Sequence, residues 1–576
     1  MAAIRKQARP VAFDVETNGL DPYRGARIFA WATCEVNGSC AVYRCKTTER
    51  DERLQRFLLD RSVEPVMHNG KFELGMLAAQ GYRLPEPFVF HDTMIQSQLL
   101  NNARQSNALD VLGEELLGWP TELDRKIAAL GREYGDYSRI PEHLMDEYQR
   151  GDAQRTMLLH QGFYPEIAKD ALLLEDYHNE MALIRVTQRM EARGVRLDIK
   201  ETERMIEEAD RKKDQATNDA YACTHERLNL GSTKQLQWLL FTQLKYPATA
   251  DVRDPTLQEL AAARPHPIFD CIKRYRSYRM AGSIMRGYIE RTLDGRLHPN
   301  IKTNHAATGR EACDNPNLQN VSKSTKESNP YIMPVRNCFI PSDGYGLLLS
   351  DESGIEIRLI IEAAQCRAML DLMRRGEHPH VAAIQAFRRE PGWQKTKETK
   401  SQYDSGKNGH FALAYGAAPM KVLTTLGYGT LDGIAEYKRQ YPEIAFLLRN
   451  GIKRVEAADY TTRLPFGRTL RIPPHEVYAW LNYNIQGTAA GIIKRAQVAA
   501  EELRGKWGDG LRLILSIHDE LVHEVDARIL NDPTARSDLL NDINRCMTDI
   551  KHITVPLEAE HKMSLDRWGK ATEVKP

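Results

Sequence analysis

Residues 347–358 read Leu-Leu-Leu-Ser-Asp-Glu-Ser-Gly-Ile-Glu-Ile-Arg, and the rest of the chain is organised around them. The apolar run predicts a buried strand that delivers Asp351 to its end. Ser353-Gly354 interrupts the run, and Ile355, Leu359, Ile360 and Ala363 resume it at helical spacing. A carboxylate at a strand-to-helix turn suits a hard divalent cation. On this stretch alone an N-capping aspartate is the simpler reading, so the decision rests on other segments.

The chain has 576 residues, which predicts two to four domains. Lysine plus arginine (79) and aspartate plus glutamate (78) nearly cancel, so only local clusters bear on a polyanionic partner. Nine cysteines without a Cys-x-x-Cys pair indicate neither a zinc module nor a disulfide framework, and point to a reducing compartment. No apolar run is long enough to span a bilayer. The N-terminal Met-Ala-Ala-Ile-Arg-Lys lacks the hydrophobic segment of a signal peptide. These features predict a cytoplasmic multidomain protein.

Val11–Glu16 alternates as a strand, with Asp14 and Glu16 on one face and Phe13 and Val15 on the other. Two neighbouring carboxylates repel each other unless a cation separates them, although an acidic edge strand has the same pattern. Val66–Leu74 runs from a short strand into a helix that carries Glu73 near its start. Tyr148 and Asp152 stand at i and i+4, on one helical face. In this order, with His91-Asp-Thr-Met94 between, these segments resemble the three motifs of the DEDD 3′–5′ exonucleases. The resemblance implies an RNase-H-like fold in which Asp14, Glu16 and Asp152 hold two Mg2+ ions and Tyr148 orients the attacking water. Glu73 departs from the pattern, which usually has aspartate there.

Farther on, 170–191 has helical periodicity ending at Gly194, and a domain boundary is expected near Asp176. The stretch 228–238 reads as a capped helix start, with Ser232 or Thr233 at the N-cap. Lys273–Arg279 interleaves basic and aromatic residues, as where nucleic acid is gripped, although a solvated helix face has the same pattern.

Thr308-Gly-Arg310, 315–320 and 336–341 then lead back to Asp351. Beyond it, Lys407, Phe411 and Tyr415 stand at i, i+4 and i+8 of one helix, an order that suits the triphosphate, sugar and base of a nucleotide. Asn482 and Gln486 open a long helix, and two apolar strands flank His518-Asp519-Glu520 as a hairpin with an acidic tip. Together these segments resemble the palm and fingers of family A DNA polymerases, the bacterial DNA polymerase I class.

The resemblance implies an α/β multidomain chain, with an RNase-H-like exonuclease domain (1–175) and a right-hand polymerase domain (176–576). Within the latter the thumb is expected at about 190–300, the palm at about 301–365 and 470–576, and the fingers at about 366–469. It assigns Asp351 and Asp519 to two Mg2+ ions, which Mn2+ can replace, with Glu520 auxiliary. Lys407 and His380 go to the triphosphate, Phe411 to the sugar, Tyr415 to the base pair, and Glu356 to exclusion of a 2′-hydroxyl. Arg310, Asn482 and Gln486 go to the minor groove, and His518 to the primer terminus.

The implied partners are primer–template DNA and dNTPs, acting on a monomer. The family's Tyr and Gln after the aspartate are Glu352 and Gly354 here. Its phosphate-binding arginine, four residues before the lysine, is Tyr403, with Lys400 as a candidate substitute. No 5′-nuclease domain is expected, and 231–274 is short. Both fit a compact phage-type enzyme in a bacterial host's cytoplasm better than a gap-filling one. The rival readings are a nuclease whose second half only grips DNA, a non-catalytic DNA-binding scaffold, and a single-subunit RNA polymerase, which Glu356 disfavours.

Overall fold

The computed structural model describes residues 8–46, 49–321 and 329–576. The N-terminal hexapeptide read above for a signal sequence lies outside them.

The first unit is a mixed five-stranded sheet in the order β3-β2-β1-β4-β5: β1 (Arg9–Thr17), β2 (Ile28–Glu35), β3 (Cys40–Arg44), β4 (Val63–Met67) and β5 (His91–Asp92). β1 runs antiparallel to β2 and parallel to β4. Its alternation buries Phe13 and Val15 against Trp31, Met67 and Leu74, leaving Asp14 and Glu16 half-buried on the opposite face. Helix α1 (Gly70–Ala79) follows β4, and α2 (Glu142–Ala168) packs across β1 and β2.

One cysteine expectation is corrected. Cys34 and Cys40 face each other across the β2–β3 ladder and are joined by a disulfide. The chain reversal at 35–39, which spacing alone does not reveal, brings them together.

Helix α3 (Ala171–Arg193) runs through the expected boundary without a break and stops at Gly194. Tyr177, Met181 and Ile184 belong to the first unit's core. Two and six residues beyond Ile184, Val186 and Met190 pack with Leu348, Ile493 and Leu513 of the second unit. Two cores therefore share one helix, which excludes a loose tether. Charge strengthens the junction: Arg468 donates to Asp176 (2.9 Å) and Glu180 (2.5 Å), Lys494 donates to Glu180 (2.8 Å), and Arg495 to Asp176 (3.0 Å). Desolvation raises the Glu180 pKa, but Lys494 and Arg468 outweigh it and hold that carboxyl below its usual range.

The second unit is built on an antiparallel five-stranded sheet. Its order is Leu511–Ile517, Glu520–Asp526, Tyr345–Glu352, Ala559–Ser564, Thr572–Val574. The 347–352 run is thus the central strand, buried on both faces as its continuous apolar character predicts. Helices Ile199–Thr224 and α4 (Pro267–Arg291) pack along each other. Much of the Lys273–Arg279 run is engaged structurally. Arg274 pairs with Asp219 and Asp270, Arg276 with Asp254, and Tyr278 is buried. Ser232 is the N-cap of a short helix, its hydroxyl accepting from the Gln235 amide. Among the described residues no helix is long and apolar enough to cross a membrane.

Candidate functional site

At the central strand's end the chain turns through Gly354, whose φ of 64° lies in the left-handed region that a side chain disfavours. This conformation accounts for glycine at that place. Helix α5 (Ile355–Ala364) begins there and carries Glu356 in its first turn. The neighbouring hairpin turns through His518 (φ 57°) and Asp519, with Glu520 opposite Asp351 in the ladder and the Glu352 amide donating to the Asp519 carbonyl (3.1 Å). Strand pairing thus places Asp351 and Asp519 at adjacent strand ends.

They open into one cavity of about 670 Å3, also lined by Arg310, Glu356, His378, His380, Lys395, Tyr403, Lys407, Phe411 and His518. α6 (Lys400–Ala414) supplies the predicted face: the Lys407 ammonium lies 5.9 Å from the Phe411 ring centre, and Phe411 stacks at 6.4 Å on Tyr415, the helix's C-cap. The Tyr415 hydroxyl donates to Glu356 (3.5 Å), whose other oxygen lies 3.6 Å from Arg310. Glu356 is therefore held from two sides. His380 is buried with one ring nitrogen 2.9 Å from His410, while its Nε2 has no partner among the described residues. Burial first, then His410, His378 and Lys407, depress its pKa, so the ring is neutral.

Not every predicted residue lines the cavity. Glu520 is buried on an ion pair with Arg336 (3.3 Å). Gln486 donates to Asn482 (2.9 Å) one turn earlier on α7 (Trp480–Glu502), and neither lines the cavity. Glu352, seen in the sequence only as a departure, is a buried carboxyl whose two oxygens have no partner among the described residues. Desolvation, then the charges of Asp519 and Asp351, push its pKa well up.

The second centre lies on β1, α1 and α2. One carboxylate oxygen from each of Asp14, Glu16 and Asp152 lies within 4.8 Å of the others. Desolvation and mutual repulsion raise Asp14 and Glu16 well above the usual carboxylate range; desolvation raises Asp152 to about 6. Asp14 Oδ2 is buried without a partner among the described residues. Hard oxygen donors crowded at this cost fit a hard divalent cation, which would reverse the repulsion. Glu73 is buried on α1 with its Oε2 unpartnered, and lies outside the three-residue cluster. Tyr148 sits one turn before Asp152.

Two neighbours complete the centre, Asp92 from the His91–Met94 motif and Arg155, which the sequence reading did not single out. Asp92 caps the following helix and accepts from the Gly70 amide (2.7 Å), tying two helix starts together. Arg155, fully buried, donates to Asp152 and to Asp124 (2.7 Å), so a guanidinium stands beside the carboxylate cluster. Its i+3 offset from Asp152 was the available signal.

A mixed five-stranded sheet and an antiparallel five-stranded sheet, each ending in carboxylates, define a two-unit α/β chain with two candidate sites. Residues 199–570 match the model of DNA polymerase family A, and residues 1–168 match a 3′–5′ exonuclease model. The chain belongs to DNA polymerase family A and carries an N-terminal 3′–5′ exonuclease domain.

Among its relatives, DNA polymerase I of Pseudomonas aeruginosa is 27% identical, the match covering 98% of this chain and 64% of that protein. The thermostable DNA polymerase I of Thermus filiformis is 27% identical over 74% of this chain and 52% of its own length. The chain thus spans about half to two-thirds of these relatives. The POL domain of Pol1 from M. smegmatis, solved in complex with DNA primer–template and dNTP, superposes with a TM-score of 0.82. It is 23% identical, with 99% of this chain and 97% of that one covered.

Proposed function

We propose that this chain extends a primer on a DNA template from dNTPs and shortens 3′ ends at its second centre. The observation that carries the reading is the convergence of Asp351, Asp519, Lys407, Phe411 and Glu356 on one cavity. When bound by Asp351 and Asp519, two Mg2+ ions (or Mn2+) would supply the charge needed to activate a 3′-hydroxyl and hold the phosphates.

The chain's own residues account for the rest. Lys407 offers positive charge to the departing pyrophosphate, and neutral His380 offers a hydrogen-bonding nitrogen. Phe411 gives the sugar a flat apolar surface, and Tyr415 stacks near the base pair. Glu356, fixed by Tyr415 and Arg310, stands as a wall against a 2′-hydroxyl and selects DNA synthesis. Arg310, Asn482 and Gln486 present donors to minor-groove acceptors that every correct pair shares, and His518 meets the primer terminus. Glu520 acts indirectly, by bracing the hairpin through Arg336.

In the second centre Asp14, Glu16 and Asp152 would hold the ions, Tyr148 would orient the water, and Glu73 would add charge nearby. The short 231–274 segment supports a compact, phage-type replicative enzyme in a bacterial cytoplasm. We assign 1–175 to the exonuclease and 176–576 to the polymerase.

The test is extension of a labelled primer–template with Mg2+ and dNTPs. Wild type is expected to extend, and Asp519→Asn to bind the duplex without extending it. Shortening without extension in wild type would refute the reading and favour a nuclease that only grips DNA.

A further inference from the structure

We propose that Lys395, held over the ring of Tyr403, supplies the second fixed positive charge for the phosphates of the incoming nucleotide, beside Lys407. This rests on the function proposed above and names a residue that the sequence did not single out.

The argument begins with the charges that line the cavity. Among the described residues four permanent cations do so: Arg310, Lys395, Lys407 and Lys494. Two are committed elsewhere, Arg310 to Glu356 (3.6 Å) and buried Lys494 to Glu180 (2.8 Å) and Asn304 (2.9 Å). Among the described residues Lys395 and Lys407 form no ion pair. Each lies over an aromatic ring, Lys395 4.2 Å from the centre of Tyr403 and Lys407 5.9 Å from that of Phe411. Such a contact positions an ammonium while leaving its N–H donors available. Two of the lining histidines, His378 and His380, add no charge near neutral pH: burial, then Arg358, lowers His378 to about 4, and His380 lies lower still. A polyphosphate entering here meets two fixed ammonium groups.

Lys395 is also placed before any ligand arrives. Two residues upstream, Trp393 is buried in one apolar cluster with Tyr403 and Ile384, and its indole N–H donates to Gln402 (3.2 Å). Downstream, the Thr396 amide donates to the Thr399 hydroxyl (2.7 Å), which donates to the Gln394 carbonyl (2.8 Å). The loop is thus closed around Lys395. Tyr403, the departure on α6, becomes intelligible: its ring is a platform for a cation brought from outside the helix. Lys400, the candidate suggested by sequence, is not among the cavity-lining residues.

The experiment is steady-state dNTP incorporation on a saturating primer–template. Lys395→Ala is expected to raise the dNTP KM roughly tenfold with kcat little changed, since a charge-assisted contact made before and during the chemical step is lost. Lys395→Arg should restore most of the affinity. Tyr403→Leu should raise KM in the wild-type background and add nothing to Lys395→Ala, whereas Tyr403→Phe, which keeps the ring, should behave as wild type. Lys395 is exposed, so its replacement leaves folding intact. An unchanged KM in Lys395→Ala, additive Tyr403→Leu and Lys395→Ala effects, or a larger rise in Lys400→Ala would overturn the proposal. A wild type that does not extend primers would instead defeat the underlying function.

Discussion

The junction on α3 offers the sharpest test of how the two units are held. Arg468→Met keeps an apolar stem but removes the guanidinium that reaches Asp176, Glu180 and Asn304 (3.1 Å). All three polar partners are at the interface, and both carboxylates are buried. Breaking a buried ion pair by removing one partner costs about 3–5 kcal/mol. Here Asp176 keeps Arg495 and Glu180 keeps Lys494, so the lower end, about 3 kcal/mol, applies. The polymerase unit of about 370 residues has an unfolding entropy on the order of 0.8 kcal/mol/K, so Tm should fall by about 4 °C. Differential scanning calorimetry of wild type, Arg468→Met and Arg468→Met/Asp176→Asn measures this. The double variant, which also removes a stranded charge, should recover part of the loss. A drop under about 1 °C, with no recovery in the double variant, would refute the view that charge compensation holds α3 to the polymerase unit.

Two further predictions concern the exonuclease centre and acid lability. Glu73→Asp, which restores the residue usual in the DEDD motif, should accelerate 3′ shortening of single-stranded DNA in gel assays and leave extension unchanged; slower shortening would show that the longer side chain suits this cluster. Burial holds His160, His410 and His523 at about 3 and His561 at about 4, against 6.5 unfolded. The unfolded chain therefore binds more protons as pH falls below about 6.5. Stability is lost by up to about 1.4 kcal/mol per pH unit per histidine. By about pH 4 the four together match a domain's whole stability. Circular dichroism should show cooperative unfolding between about pH 6 and 4, and a flat signal to pH 4 would contradict it.

Local pattern sufficed where chemistry is local. The unbroken apolar run at 347–349 specified a strand buried on both faces, because one core packs on Leu347 and Leu349 and another on Leu348, leaving no solvent side. Period-two alternation put Asp14 and Glu16 on one face, and the i, i+4 offsets aligned Lys407 with Phe411 and Tyr148 with Asp152. Family resemblance then joined segments that no periodicity connects. What only the tertiary structure decided is which distant groups meet. Cys34 faces Cys40 because the hairpin register sets them opposite. Arg274 and Arg276, whose pattern suited either a grip or a solvated helix face, pair with Asp219 and Asp254 on other elements. Arg155 is directed at the carboxylates because α2 crosses β1, and Lys395 reaches the cavity because Trp393 and Tyr403 share a small core. α3 belongs to two cores at once, a property of packing that a domain boundary drawn on sequence cannot express. In each case the deciding energy, desolvation of a charge or burial of a ring, depends on neighbours remote in sequence, so it is settled only when the chain has folded.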